Sequence, residues 1–142
     1  MRLILRGVVL AALGSGLASV ASAQETPEAL VGRAQALTRE GRFEAALELL
    51  EAAGQAAARA GDVAAQGAAA SARSEVRLRQ GRYDLALEAG QQALDLCRPA
   101  GERRCEAAAL LGLARAQHGR YQLEATRDLA RQALAASEEL EA

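Results

Sequence analysis

Small and apolar residues recur at helical spacing along most of this chain. After Phe43 they fall at Ala46, Leu47, Leu50, Ala53 and Ala57, and after Tyr83 at Ala86, Leu87, Gly90, Ala93, Leu94 and Cys97. Offsets of this kind place the residues on one face of an α-helix. Thr26-Pro27-Glu28 is typical of a helix start, because it combines an N-cap, a first-turn proline and an acid. The pattern predicts six helices, over residues 27–40, 43–60, 62–80, 83–99, 102–118 and 121–140.

A glycine-centred motif divides these helices into pairs. The triplet Gly-Arg-aromatic occurs at residues 41–43, 81–83 and 119–121, and it contains every aromatic residue of the chain. Further glycines at 61 and 101 give intervals of 20, 20, 20 and 18 residues. A period of about 40 residues with a turn at its midpoint is typical of stacked helical hairpins. Measured from these glycines, the third repeat is two residues short.

These motifs resemble the tetratricopeptide repeat family in its long-helix bacterial form. The segments 41–46 and 81–86 match the family pattern Gly-x-aromatic-x-x-Ala, and Leu111-Gly112 matches its Leu-Gly pair. The resemblance implies an all-α fold of three antiparallel hairpins stacked as a right-handed superhelix, with repeats at about 27–60, 62–100 and 102–140 of a domain spanning 24–142. The structural repeat positions expected from the motifs are Gly41, Phe43, Ala46, Gly81, Tyr83, Ala86, Gly112, Gly119 and Tyr121.

The same resemblance implies where a ligand would bind. Members of the family hold ligands along the concave face made by the first helix of each pair. Counting back two and six residues from each motif glycine gives the expected groove positions, which are Gln35, Arg39, Glu75, Arg79, Leu113 and Gln117.

Residues 1–23 have the features of a cleavable export signal. Arg2 and Arg6 precede an apolar run from Gly7 to Val20, which is followed by Ala21-Ser22-Ala23. A run of this length is shorter than the roughly 20 residues that span a bilayer, and an A-x-A end is typical of signal cleavage. We therefore expect a periplasmic or secreted protein without stable membrane insertion; a retained signal anchor is the alternative.

Cys97 and Cys105 are the only cysteines, and they flank one predicted turn. In an exported protein, which meets oxidising conditions, such a pair favours a disulfide. Two separate thiols packed in the core are the main alternative, and a redox or metal role is a weaker one.

Composition excludes several kinds of chemistry. All 17 basic residues are arginine, and His118 is the only histidine, so a catalytic lysine and a multi-histidine metal site are absent. Of the serines after the signal, none lies in a Gly-x-Ser-x-Gly turn. A net charge of −1, or −3 without the signal, argues against nucleic-acid binding. We expect no enzyme activity, no cofactor and no bound metal.

The remaining hypotheses concern binding. The first is an exported adaptor that holds a peptide or helix of an envelope protein. The second is a set of amphipathic helices that open onto a membrane surface, although such helices usually have basic polar faces and large apolar residues. The third is self-association through an uncapped end of the repeat array, giving a homodimer.

Overall fold

The computed structural model describes residues 25–142, and the secondary structure of this part of the chain consists of α-helices, with no strand. The signal expected at residues 1–23 lies outside the described residues. Six helices follow one another: α1 Pro27–Arg39, α2 Phe43–Arg59, α3 Val63–Arg79, α4 Tyr83–Cys97, α5 Arg103–Gly119 and α6 Leu123–Glu141. The predicted all-α class and the six helices are confirmed, and the first five helices start within one residue of their expected positions.

The turns follow from local backbone chemistry. At the α1–α2 turn Gly41 has φ +78°, and the amide of Arg42 donates to the carbonyl of Leu37 at 2.9 Å. A left-handed residue closes the end of a helix in this way, and glycine adopts that conformation without a steric penalty. At the start of α3, the Asp62 carboxylate accepts from the amide of Ala65 at 3.0 Å. The glycine turn ends α1 and the carboxylate cap starts α3, and the chain reverses within a few residues at each of these turns.

The turn between α5 and α6 differs from the expectation. Gly119 is the last helical residue of α5, whereas Tyr121 has φ +61° and occupies the left-handed position of the turn. Tyr121 lies 20 residues after Gly101, so the 20-residue interval continues and the third repeat is not shortened. The expected equivalence of Gly119 and Tyr121 with Gly81 and Tyr83 is therefore wrong. The position of the turn is thus determined by the 20-residue spacing and not by the Gly-Arg-Tyr motif.

The helices stack so that the first members of the pairs lie side by side. Each helix packs on its neighbours in sequence, and α3 also contacts both α1 and α5. Within residues 25–142, no Cα atom of α2, α4 or α6 lies within 8 Å of a Cα atom in another of these three helices. The second helices are thus spread apart on the convex outer face, and α1, α3 and α5 form the concave face.

Small residues allow the helices to approach closely. Ala34, Ala46 and Ala86 are completely buried, and the Ser74 hydroxyl donates to the Ala86 carbonyl at 2.8 Å. A Cβ added at Gly112 would lie 3.4 Å from the Ser74 hydroxyl. Phe43 packs on the cluster formed by the first two repeats, and the Tyr83 ring lies where a Cβ at Gly119 would have to be. Gly119 therefore provides room for an aromatic ring of the preceding repeat.

Candidate partner-binding site

A cavity of about 470 Å³ lies on the concave face, between α1, α3 and α5. Its apolar lining includes Val31, Ala68, Ala72 and Leu111. Leu111, which also lines the cavity, is 54% exposed. The cavity therefore offers a ligand an apolar surface that the chain itself leaves uncovered.

Glu75 is at the centre of the polar groups in this cavity. Arg115 of α5 donates to both carboxylate oxygens of Glu75. Arg79 donates to the same carboxylate from one helical turn away, with Nε to Oε1 at 3.0 Å. The two arginines share the Glu75 carboxylate between α3 and α5, and all three side chains remain partly exposed. A ligand can therefore reach the guanidinium groups without displacing buried structure.

Of the six groove positions expected from sequence, some line the concave cavity and others lie elsewhere. Gln35 and Glu75 line the concave cavity. Arg79 is outside the lining but is joined to it through Glu75, and Arg39 is exposed on the last turn of α1.

The third-repeat positions are wrong. Leu113 is only 4% exposed and belongs to the core, and Gln117 lines a groove on the outer face together with it. The error has the same cause as the turn error, because counting from Gly119 instead of Tyr121 displaces the register by two residues. The residue 40 positions after Glu75 is Arg115, which does line the cavity. The unbroken 20-residue spacing was the signal that could have identified it.

The structure joins Cys97 and Cys105, whose Cα atoms are 5.8 Å apart. This distance lies in the range that disulfides require. Both sulfur atoms occupy the space that a Cβ at Gly67 would take, so α3 passes directly against the bridge. Cys97 is fully buried and Cys105 lines the concave cavity. The bridge therefore connects α4 to α5 beside the candidate site.

A charge cluster supports the same turn. The buried carboxylate of Glu106 accepts from Arg103 Nη1 at 2.7 Å and from Arg98 Nε at 3.0 Å. Hydrogen bonding from Arg103 is the main cause that holds the pKa of Glu106 below its ordinary value, and it outweighs the opposing effect of burial. Arg103 also pairs with Glu139 at 2.8 Å. The cluster thus connects α4, α5 and α6 at one end of the molecule.

None of the six helices combines the length and apolar character needed to cross a bilayer. Within residues 25–142, no group of three or more His, Cys, Asp or Glu side chains is arranged to hold a metal ion. His118 is exposed near the end of α5.

Comparison with known proteins gives one match. No curated protein and no solved structure matches the chain. The family model described as Tetratricopeptide repeat matches residues 25–98, which are just over half of the chain and cover the first two helix pairs. With three stacked helix pairs and this match, the chain belongs to the tetratricopeptide repeat family.

Proposed function

We propose that this protein is an exported, non-enzymatic scaffold that holds a peptide or helix of an envelope partner against its concave face. Tetratricopeptide repeats generally mediate protein–protein interaction. Residues 1–23 supply the argument for export, since they combine two arginines, an apolar run and an A-x-A end. The observation that carries the binding proposal is the concave cavity with its exposed Leu111.

The lining indicates what such a ligand would contact. An apolar ligand side chain would pack on Leu111 and Val31, which lie on different helices. Arg115 would offer its planar donors to a ligand carboxylate or backbone carbonyl. Glu75 would reject an acidic side chain at its own position, which would orient the ligand. Together these contacts favour an extended segment or a helix lying across α1, α3 and α5.

The test compares two variants as baits for envelope extract. The groove variant carries Leu111→Ser and Arg115→Ala, and the control carries Glu48→Ala on the exposed outer face of α2. We expect wild type and control to retain a common partner that the groove variant loses. Because the substituted side chains are about half exposed, unfolding free energies should change by under about 1 kcal/mol.

Two outcomes would contradict this assignment. A partner lost from the Glu48→Ala control but kept by the groove variant would place binding on the outer face. A wild-type bait that retains no protein beyond those held by an unfolded control would remove the scaffold proposal.

A further inference from the structure

The start of α5 forms one end of the concave cavity. Four residues of this segment line it, namely Glu102, Arg104, Cys105 and Ala108. Cys105 also carries the bridge to Cys97 at the end of α4. The shape of this end of the cavity therefore depends on how the first turn of α5 is held in the fold.

Two separate sets of contacts hold that turn. In the first, the bridge joins it to α4, and both sulfur atoms lie against Gly67 of α3. In the second, the Glu106 carboxylate accepts from Arg98 at 3.0 Å and from Arg103 at 2.7 Å. These ion pairs do not involve the cysteines, so they remain when the bridge is opened. Cleavage of the bridge therefore releases the side of the turn that faces α3 while α4 and α5 stay joined.

The space around the two sulfur atoms determines which of them can move. Two unbonded thiols cannot lie as close together as bonded sulfur atoms, because they keep van der Waals separation. Cys97 is completely buried, and the backbone of Gly67 lies directly against the bridge. Cys105 is partly exposed and borders the open cavity. The thiol of Cys105 is therefore the one that is displaced on reduction, and it moves toward the cavity.

We propose that the Cys97–Cys105 bridge is a redox switch of the concave cavity, which is closed in the binding state and is opened by a dithiol reductant. This inference concerns the regulation of the cavity and rests on the function proposed for it. The displaced Cys105 thiol narrows the end of the cavity beside Arg104 and Ala108, so a ligand binds the reduced protein more weakly. By linkage, a bound ligand favours the oxidised bridge to the same extent.

The bridge opens by thiol–disulfide exchange. A thiolate of the reductant attacks the sulfur atom of Cys105, which borders the cavity, and forms a mixed disulfide with it. The bond between the two cysteine sulfur atoms breaks, and its electron pair leaves with Cys97, which takes up a proton. The second thiolate of the reductant then closes a cyclic disulfide and releases Cys105, which is also protonated. The bridge gains two electrons and two protons, and the dithiol loses them.

The first measurement follows the cavity without any ligand. Alanine methyl NMR spectra of the mature protein are recorded before and after reduction with dithiothreitol. We expect the methyl signals of Ala64, Ala68 and Ala108 to shift, because these residues line the cavity. Ala34 and Ala46 belong to the core of the first two helices and their signals should stay unchanged. Circular dichroism should show the same helix content in both states.

The second measurement follows binding of a defined probe. The dye anilinonaphthalene sulfonate combines an apolar ring system with an anionic group, which suits Leu111 together with Arg104. The part of the fluorescence that Leu111→Ser removes reports on the cavity. For that part we expect the dissociation constant to rise about tenfold on reduction, which is within the usual range of coupling between two sites. Saturating dye should also slow the reduction of the bridge.

Matched variants connect the effect to the bridge. Cys97→Ala with Cys105→Ala has no thiol to displace, so dithiothreitol should leave its dye binding unchanged. Gly67→Ala places a methyl group where both sulfur atoms lie, so it should weaken dye binding in the oxidised protein. Gly54→Ala is its control, because a Cβ there meets no atom within 4 Å and dye binding should be unaffected.

The inference is overturned if the cavity binds the dye equally before and after reduction, or if the alanine methyl signals of its lining do not shift. It is also overturned if reduction unfolds the protein, because the bridge would then act only as structural support. A response of the double alanine variant to dithiothreitol would place the effect outside the bridge. None of these results needs a partner, whereas an envelope extract that yields no partner contradicts only the scaffold proposal.

Discussion

Two tyrosines in the same sequence motif have opposite structural roles. Tyr83 starts α4 and its ring packs over Gly119. Tyr121 is 88% exposed and has φ +61°, so it makes the turn without packing in the core. A non-glycine residue in the left-handed region destabilises the fold by roughly 1–2 kcal/mol. The identity of the aromatic residue therefore does not predict its role, whereas its position in the 20-residue period does.

The first prediction uses this contrast. Tyr121→Gly should raise the free energy of unfolding by about 1 kcal/mol, because glycine relieves the backbone strain and little packing is lost. Tyr83→Ala should lower it by about 2–4 kcal/mol, because the space above Gly119 would empty. Chemical denaturation of the two variants measures both changes. A fall in stability for Tyr121→Gly would show that the exposed ring has a packing partner.

Counting from the turn glycines Gly41 and Gly81 reaches two residues that line the concave cavity, Gln35 and Glu75. The same count also gives Arg39 and Arg79, which lie outside its lining. In the third repeat the turn residue is Tyr121, so counting from Gly119 of the Gly-Arg-Tyr motif gives groove positions that are displaced by two residues. Arg115 was missed for that reason alone.

At the scale of elements, helix existence followed from apolar spacing, but the end of α4 depended on a proline. The expected end of α4 was residue 99, whereas the helix ends at Cys97. Pro99 has no amide hydrogen and so cannot continue the helical hydrogen-bond ladder, although Arg98 before it keeps helical backbone angles. The bridge to Cys105 and the Glu106 cluster then hold the turn that follows. The bridge and the charge cluster both need the end of α4 to lie close to the start of α5. Residue spacing in the sequence does not determine that distance.

The second prediction concerns the buried Glu106 carboxylate. Because its pKa is lowered in the folded state, its contribution to stability is present at neutral pH and is lost as pH falls through that lowered value. Glu106→Gln should therefore lower the free energy of unfolding by about 1–3 kcal/mol at pH 7. The difference from wild type should shrink below about pH 4.3, the ordinary glutamate pKa, as the native carboxyl group becomes protonated.

Denaturant titrations at several pH values measure this difference. Glu102→Gln is a matched control on the same turn, since Glu102 is exposed and forms no ion pair within residues 25–142. A constant difference between wild type and Glu106→Gln across the whole pH range would show that the carboxylate charge does not stabilise the turn.

At the scale of the whole molecule, a stack of helix pairs produces two kinds of surface from one repeat. The first helices contact each other and form the concave cavity, whereas the separated second helices leave grooves between them. The stacking was predictable from the period, but the groove volumes were not. Arg73 lies in the groove of about 240 Å³ between α2 and α4, whereas Leu113 lines the groove of about 850 Å³ between α4 and α6.

The last prediction concerns the state of the whole chain in its own compartment. The A-x-A end at residues 21–23 predicts cleavage before Gln24, and export would place Cys97 and Cys105 in oxidising conditions. We therefore expect the native protein to begin at Gln24 and to gain the mass of two hydrogen atoms on reduction. Intact-mass spectrometry before and after reduction measures both features. A native mass that includes residues 1–23 would contradict cleavage. A mature mass unchanged by reduction would instead mean that the two sulfur atoms pack beside Gly67 as thiols.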